Sequence, residues 1–193
     1  MKFDIIMVGC GVMANYWLGN ITLRKDCEII ALVDLDIRRA AAIREKYNLE
    51  CNIYDLVDEA LEKEHGNLLI DLTYVTVHHD VTIKALRAGY NVIGEKPMAF
   101  EVEQANDMLR AADETGKRYI VAQNRRYIDQ VEKIRELVIS GDIGEPVFIC
   151  GEIFDCKDNI HSIAMVFASV KSIREKREVG IEVNETYPYI VLD

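Results

Sequence analysis

The sequence predicts an α/β protein built on a doubly wound parallel sheet. Short apolar runs alternate with helix-length segments from residue 3 to residue 122. The first run, residues 3–8, breaks directly into a glycine turn, Gly9-Cys10-Gly11-Val12-Met13-Ala14. A helix-length stretch then leads to a second apolar run, residues 29–33, which ends on Asp34. Strand, tight turn, helix, strand and acid is the order of a dinucleotide-binding βαβ unit.

Each residue type in that unit has a physical reason. Gly9 lets the chain turn sharply out of the first strand. Gly11 has no side chain, so a pyrophosphate can approach the backbone. Ala14 keeps the helix close to the sheet. With Val12 and Met13, the glycines place free N–H groups and the positive end of the helix against the phosphates. Asp34 accepts hydrogen bonds from the adenosine ribose hydroxyls, and its charge repels a 2′-phosphate. Leu35 follows it, with no adjacent arginine to receive that phosphate, so NAD is favoured. Arg38 and Arg39, a helical turn further on, keep NADP open.

The remaining elements follow in order. Residues 37–47 form a helix with Asp36 as N-cap. Residues 51–54 are a short third strand, and 55–65 an acidic helix stopped by Gly66-Asn67. Residues 68–72 are a buried-type strand. Residues 78–88 form a helix closed by Gly89, and 90–94 the fifth strand. Residues 101–115 form a helix capped by Gly116, and 119–122 the sixth strand. A helix over 127–140 leads into the turn-rich passage Gly141-Asp142-Ile143-Gly144-Glu145-Pro146.

Bulk properties narrow the function. Half of the 193 residues are hydrophobic, enough for a sizeable core. The net charge of −10 argues against nucleic acid or an anionic membrane surface as partner. No apolar run approaches the roughly 20 residues of a membrane span, and no signal peptide is read before the first strand, so the cytoplasm is expected. The five cysteines are unpaired in spacing and contain no Cys-x-x-Cys, so neither a disulfide frame nor a metal site is expected. Cys10, inside the phosphate turn, is read as a small residue that fits there.

A second motif, Glu95-Lys96-Pro97, follows the fifth strand directly. Ligands of open α/β sheets bind beyond the carboxyl ends of the strands, which puts this triplet near the nicotinamide end of a bound dinucleotide. A lysine there can exchange a proton with a substrate hydroxyl. Pro97 fixes the turn, and a cis bond before it is open.

The glycine turn, Asp34, the passage from His78 to Val92, and Glu95-Lys96-Pro97 occur in an order that resembles the glucose–fructose oxidoreductase / inositol dehydrogenase / MocA (Gfo/Idh/MocA) family. Gln123-Asn124-Arg125-Arg126-Tyr127 and Ser140 to Pro146 are similar to it as well. The resemblance runs from residue 3 to about residue 154. It implies an NAD(P)-dependent oxidoreductase that moves hydride between the nicotinamide and a carbon of a sugar, cyclitol or related polyol. On that reading Lys96 polarises or deprotonates the reacting hydroxyl, and Glu95 orients the lysine or touches the cofactor ribose. Thr73, Val75 and His78 match positions along the cofactor cleft, Asn124 one near the nicotinamide, and Arg126 one near the substrate. The chain departs from the family at Thr73-Tyr74-Val75, where Thr-Pro-Asn is usual, and at Asp129, where proline is common.

The resemblance also implies a division at the end of the sixth strand. Residues 1–122 form the cofactor domain. Residues 123–193 hold a linking helix, a first strand (147–154), a terminal helix (159–176) and a short strand (179–183), a truncated remnant of a second α/β domain. The family's Asp-x-x-x-His motif is not found: Lys157, not an acid, stands four residues before His161. An apolar strand 147–154 without neighbours favours self-association, so a homo-oligomer is expected. A non-catalytic NAD-binding or oligomerisation module is the alternative.

Overall fold

The computed structural model describes residues 2–142 and 144, together with the strands 181–183 and 190–192. The chain forms two compact units, Met1–Arg126 and Tyr127–Asp193.

The first unit is a six-stranded parallel sheet in the order β3-β2-β1-β4-β5-β6. Its strands are β1 (Phe3–Val8), β2 (Cys27–Val33), β3 (Asn52–Tyr54), β4 (Leu68–Asp71), β5 (Asn91–Gly94) and β6 (Tyr119–Val121). Its helices are α1 (Val12–Ile21), α2 (Ile37–Lys46), α3 (Val57–Lys63), α4 (Val75–Arg87) and α5 (Val102–Thr115). Central β1 is apolar on both faces because helices cover both. Ile5 and Met7 pack in one core with Ala14, Leu18 and Ile21 of α1 and Ala40 and Ile43 of α2. Ile6 and Val8 pack in the other with Ala60 of α3, Val81, Ala85 and Leu86 of α4 and Ala111 of α5.

The chain winds from β1 outward to β3, then returns to β4 on the opposite side of β1. That reversal opens a crevice beyond the carboxyl ends of β1 and β4. Glu95 N–H donates to Asp71 O (2.9 Å) and Leu72 N–H to Val8 O (2.8 Å), so the exits of β1, β4 and β5 are tied side by side.

Local rules account for most element ends. Asp36 caps α2, its side chain accepting from Arg38 N–H (3.1 Å). Gly116 ends α5 in the left-handed region at φ 65°. Two helices differ from expectation. α4 starts at Val75 rather than 78, because the extended residue is Tyr74 (φ −79°, ψ 148°), which leaves Val75 as the first helical residue. α3 is shorter than 55–65, because Leu56 and Glu64 are both extended.

In the second unit α6 (Asp129–Ser140) ends at Gly141, φ 79°. The strand expected at 179–183 is β7 (Ile181–Val183), which pairs antiparallel with β8 (Ile190–Leu192), a strand not anticipated. A 3-10 turn, Asn124–Tyr127, precedes α6 and was not anticipated either. The strand expected at 147–154 and the helix expected at 159–176, with His161, lie outside the described residues.

Candidate cofactor and catalytic site

The two turn glycines serve different needs. Gly9 has φ 94°, and a Cβ there would stand 2.8 Å from the carbonyl carbon and oxygen of Leu72. Its N–H donates to Val33 O at 2.8 Å. Glycine is therefore required by the protein's own packing. Gly11 is the N-cap of α1 with φ −82°, and a Cβ there would meet nothing within 4 Å. That open space lies against the first turn of α1, which carries no acidic residue. Free N–H groups facing an unfilled space fit a pyrophosphate. Val12 (74 % exposed) and Met13 stand at the rim.

Asp34 closes the other side of the turn. Its Oδ2 accepts from Cys10 N–H at 2.8 Å and its Oδ1 from Asp36 N–H at 2.9 Å. The carboxylate thus fixes the glycine turn to the end of β2; Asp34 is half-buried and the next residue, Leu35, is 87 % exposed. Arg38 is held by Asp36, with Nε to Oδ1 at 2.8 Å and a second nitrogen to Oδ2 at 2.9 Å. Both Arg38 and Arg39 stay exposed. Cys10 is buried, and burial pushes its thiol up to about 12, so it is an inert filler.

Beyond β4, Thr73 turns its hydroxyl inward to Asp71 Oδ1 at 2.6 Å, and its N–H reaches the same oxygen at 3.0 Å. Val75 is half-buried at the start of α4. His78 differs from expectation: it is 1 % exposed, with Nδ1 at 3.0 Å from Pro97 O and Nε2 at 3.0 Å from Thr73 O.

Beyond β5, the Lys96–Pro97 bond is cis. Glu95 also differs from expectation. Its Oε1 accepts from the Trp17 indole N–H at 2.9 Å, and its Oε2 from Lys96 N–H at 3.3 Å. Among the described residues no carboxylate lies within ion-pair distance of the Lys96 amine, which is exposed. Glu95 is therefore anchored to α1, and it holds the Lys96 backbone rather than its amine. Asn124 and Arg126, both exposed, sit on the 3-10 turn after β6.

Two residues of this region escaped the sequence reading. Trp17 could not be found, because its partner is 78 residues away. Asp71 had a signal: like Asp34 it ends an apolar strand, but it is fully buried, and burial raises its carboxyl above the usual range. A separate apolar cavity of about 560 Å³, lined by Phe3, Cys27, Leu68 and Asn91 among others, lies at the opposite, amino ends of the strands. No described helix is long and apolar enough to cross a membrane.

Residues 3–123 match the model of the GFO_IDH_MocA oxidoreductase family, NAD-binding Rossmann fold. The chain belongs to this family. Among curated Gfo/Idh/MocA relatives, an inositol 2-dehydrogenase of Salmonella typhimurium is 27 % identical over 147 residues, covering 75 % of this chain and 44 % of the relative. A D-glucoside 3-dehydrogenase of Escherichia coli is 29 % identical over 142 residues, covering 73 % of this chain and 40 % of the relative. An Agrobacterium radiobacter oxidoreductase, solved with NAD+, L-tartaric acid and magnesium, superposes with a TM-score of 0.71 at 22 % identity, covering 76 % of this chain and 42 % of that one. The chain spans less than half the length of these relatives. The family model covers residues 3–123, the Rossmann unit.

Proposed function

We propose that the chain is an NAD-dependent oxidoreductase whose substrate is a sugar or cyclitol hydroxyl. The observation that carries this reading is the glycine turn at the N-terminus of α1, tied to the Asp34 carboxylate through the Cys10 N–H. Gly9, Gly11, Val12 and Met13 would hold the pyrophosphate. Asp34 and Leu35 would hold the adenosine ribose end. Thr73, Val75 and Asn124 line the way toward Lys96, and Glu95 sets the turn on which Lys96 stands.

When bound, NAD supplies the hydride acceptor. The Lys96 amine takes the proton of the substrate hydroxyl, and Arg126 orients the polyol. The same amine returns the proton in the reverse direction. A carboxylate at Asp34 and an Arg38 already paired with Asp36 favour NAD over NADP. The relatives' names supply the substrate class: an inositol and a glucoside.

The test is reduced-nicotinamide absorbance with NAD and a panel of inositols and glucosides, in parent and Lys96→Ala chains. Turnover in the parent, lost in Lys96→Ala with NAD affinity kept, is expected. Turnover that survives Lys96→Ala refutes the role given to that amine. The second reading is a non-catalytic NAD-binding or oligomerisation module in a cytoplasmic homo-oligomer. It predicts NAD binding without turnover on any polyol.

A further inference from the structure

His78 is buried to 1 % exposure, yet both ring nitrogens face backbone carbonyl oxygens at 3.0 Å, Nδ1 that of Pro97 and Nε2 that of Thr73. A neutral imidazole carries one N–H, so in that form the other nitrogen meets a carbonyl lone pair with a lone pair of its own. An imidazolium carries two N–H groups and satisfies both oxygens at once. We propose that His78 is a proton-operated positioning residue: doubly protonated, it clips the loop after β4 to the cis-proline turn after β5 and so sets where Lys96 stands.

The surroundings support this arrangement. From β4, the buried Asp71 acts electrostatically on His78 and holds Thr73, whose carbonyl His78 contacts. From β5, Glu95 is occupied by Trp17, and Lys96 is exposed. From β6, the half-buried Tyr119 hydroxyl is directed to Met98 O at 3.5 Å, and burial, with Asp71, pushes it up to about 12, so it stays neutral. On α4 itself, His79 faces Asp80 and the α5 residue Asp107. From α3, Asp58 engages Lys84 further along α4.

The sign follows directly. At low pH both contacts exist. Where one ring N–H is lost, one carbonyl is released, and the turn carrying Lys96 loosens. The device concerns the turn alone and stands whether or not the chain oxidises a polyol.

Two measurements on the full chain test it. Nitrogen-15 NMR of the histidine rings counts the protons on His78 from about pH 6 to about pH 9, a range spanning the ordinary histidine titration. Trp17, the chain's one tryptophan, reports the turn through its hydrogen bond to Glu95. Two ring protons on His78 at about pH 6 are expected, with Trp17 emission steady while both remain and stepping where the second is lost. In His78→Gln that emission step is expected to vanish. A single ring proton at about pH 6 overturns the proposal, as does an emission step retained in His78→Gln or flat emission while His78 loses a proton. The NMR count on the unsubstituted chain decides the matter even where His78→Gln does not fold.

Discussion

Asp34→Ala is the most informative single substitution, because that carboxylate has two duties. Within the protein it accepts from Cys10 N–H at 2.8 Å and Asp36 N–H at 2.9 Å, both part-buried contacts. Losing each, with water partly replacing it, costs about 1 kcal/mol. The expected total is about 2 kcal/mol, or a fall of about 4–8 °C in Tm for a chain of this size. Toward the cofactor, a ribose hydroxyl bonded to a carboxylate contributes about 1.5–3 kcal/mol, so NAD affinity should drop by about ten- to a hundredfold. The ratio of NADP to NAD affinity should rise at the same time, because the charge that repels a 2′-phosphate is gone. Trp17 emission follows the titration, and thermal unfolding gives the stability. Unchanged NAD affinity and an unchanged preference between the two cofactors would refute the placing of the ribose at Asp34. A fall in Tm alone would leave Asp34 as a brace for the turn and nothing more.

Gly9→Ala should destabilise the chain by about 2–4 kcal/mol, from a non-glycine residue held at φ 94° and a Cβ 2.8 Å from Leu72 backbone; an alanine variant as stable as the parent in urea would contradict that geometry. Cys10, with its thiol pushed up to about 12 by burial, should resist iodoacetamide in the folded chain at about pH 8 and react only after unfolding; rapid alkylation mapped to Cys10 by mass spectrometry would show the turn to be open. The Asp36 cap is held below the usual carboxylate range by its hydrogen bond to the Arg38 side chain. Its contribution is whole above the free-carboxylate pKa of about 3.9 and is lost as pH falls through the lower folded value. The Tm gap between parent and Asp36→Ala should therefore close on acidification, and a gap that widens toward low pH would reverse the sign.

The fold was legible because its signals are local or periodic. β1 reads as an unbroken apolar run since both its faces are covered, and Gly9 and Asp34 mark the ends of strands that the sheet brings together. Asp36 starts α2 and Gly116 stops α5 by chemistry contained within a few residues. What could not be read depends on contacts between distant segments. Glu95 was expected to orient Lys96 or touch the cofactor ribose, and nothing near it in sequence announces the Trp17 indole from α1 that donates to its Oε1. His78 was matched to the cofactor cleft, and its two ring nitrogens face carbonyls from separate segments, Nδ1 that of Pro97 after β5 and Nε2 that of Thr73 after β4. The start of α4 was misplaced by three residues because nothing in Thr73-Tyr74-Val75 marks which residue stays extended.

The most direct test of the central claim is a calorimetric titration of the purified chain with NAD and, separately, with NADP. Saturable binding of NAD, tighter than that of NADP, is the result predicted by an open Gly11, a ribose-facing Asp34 and an Arg38 bound to Asp36. Binding of neither nucleotide, or a preference for NADP, would contradict it.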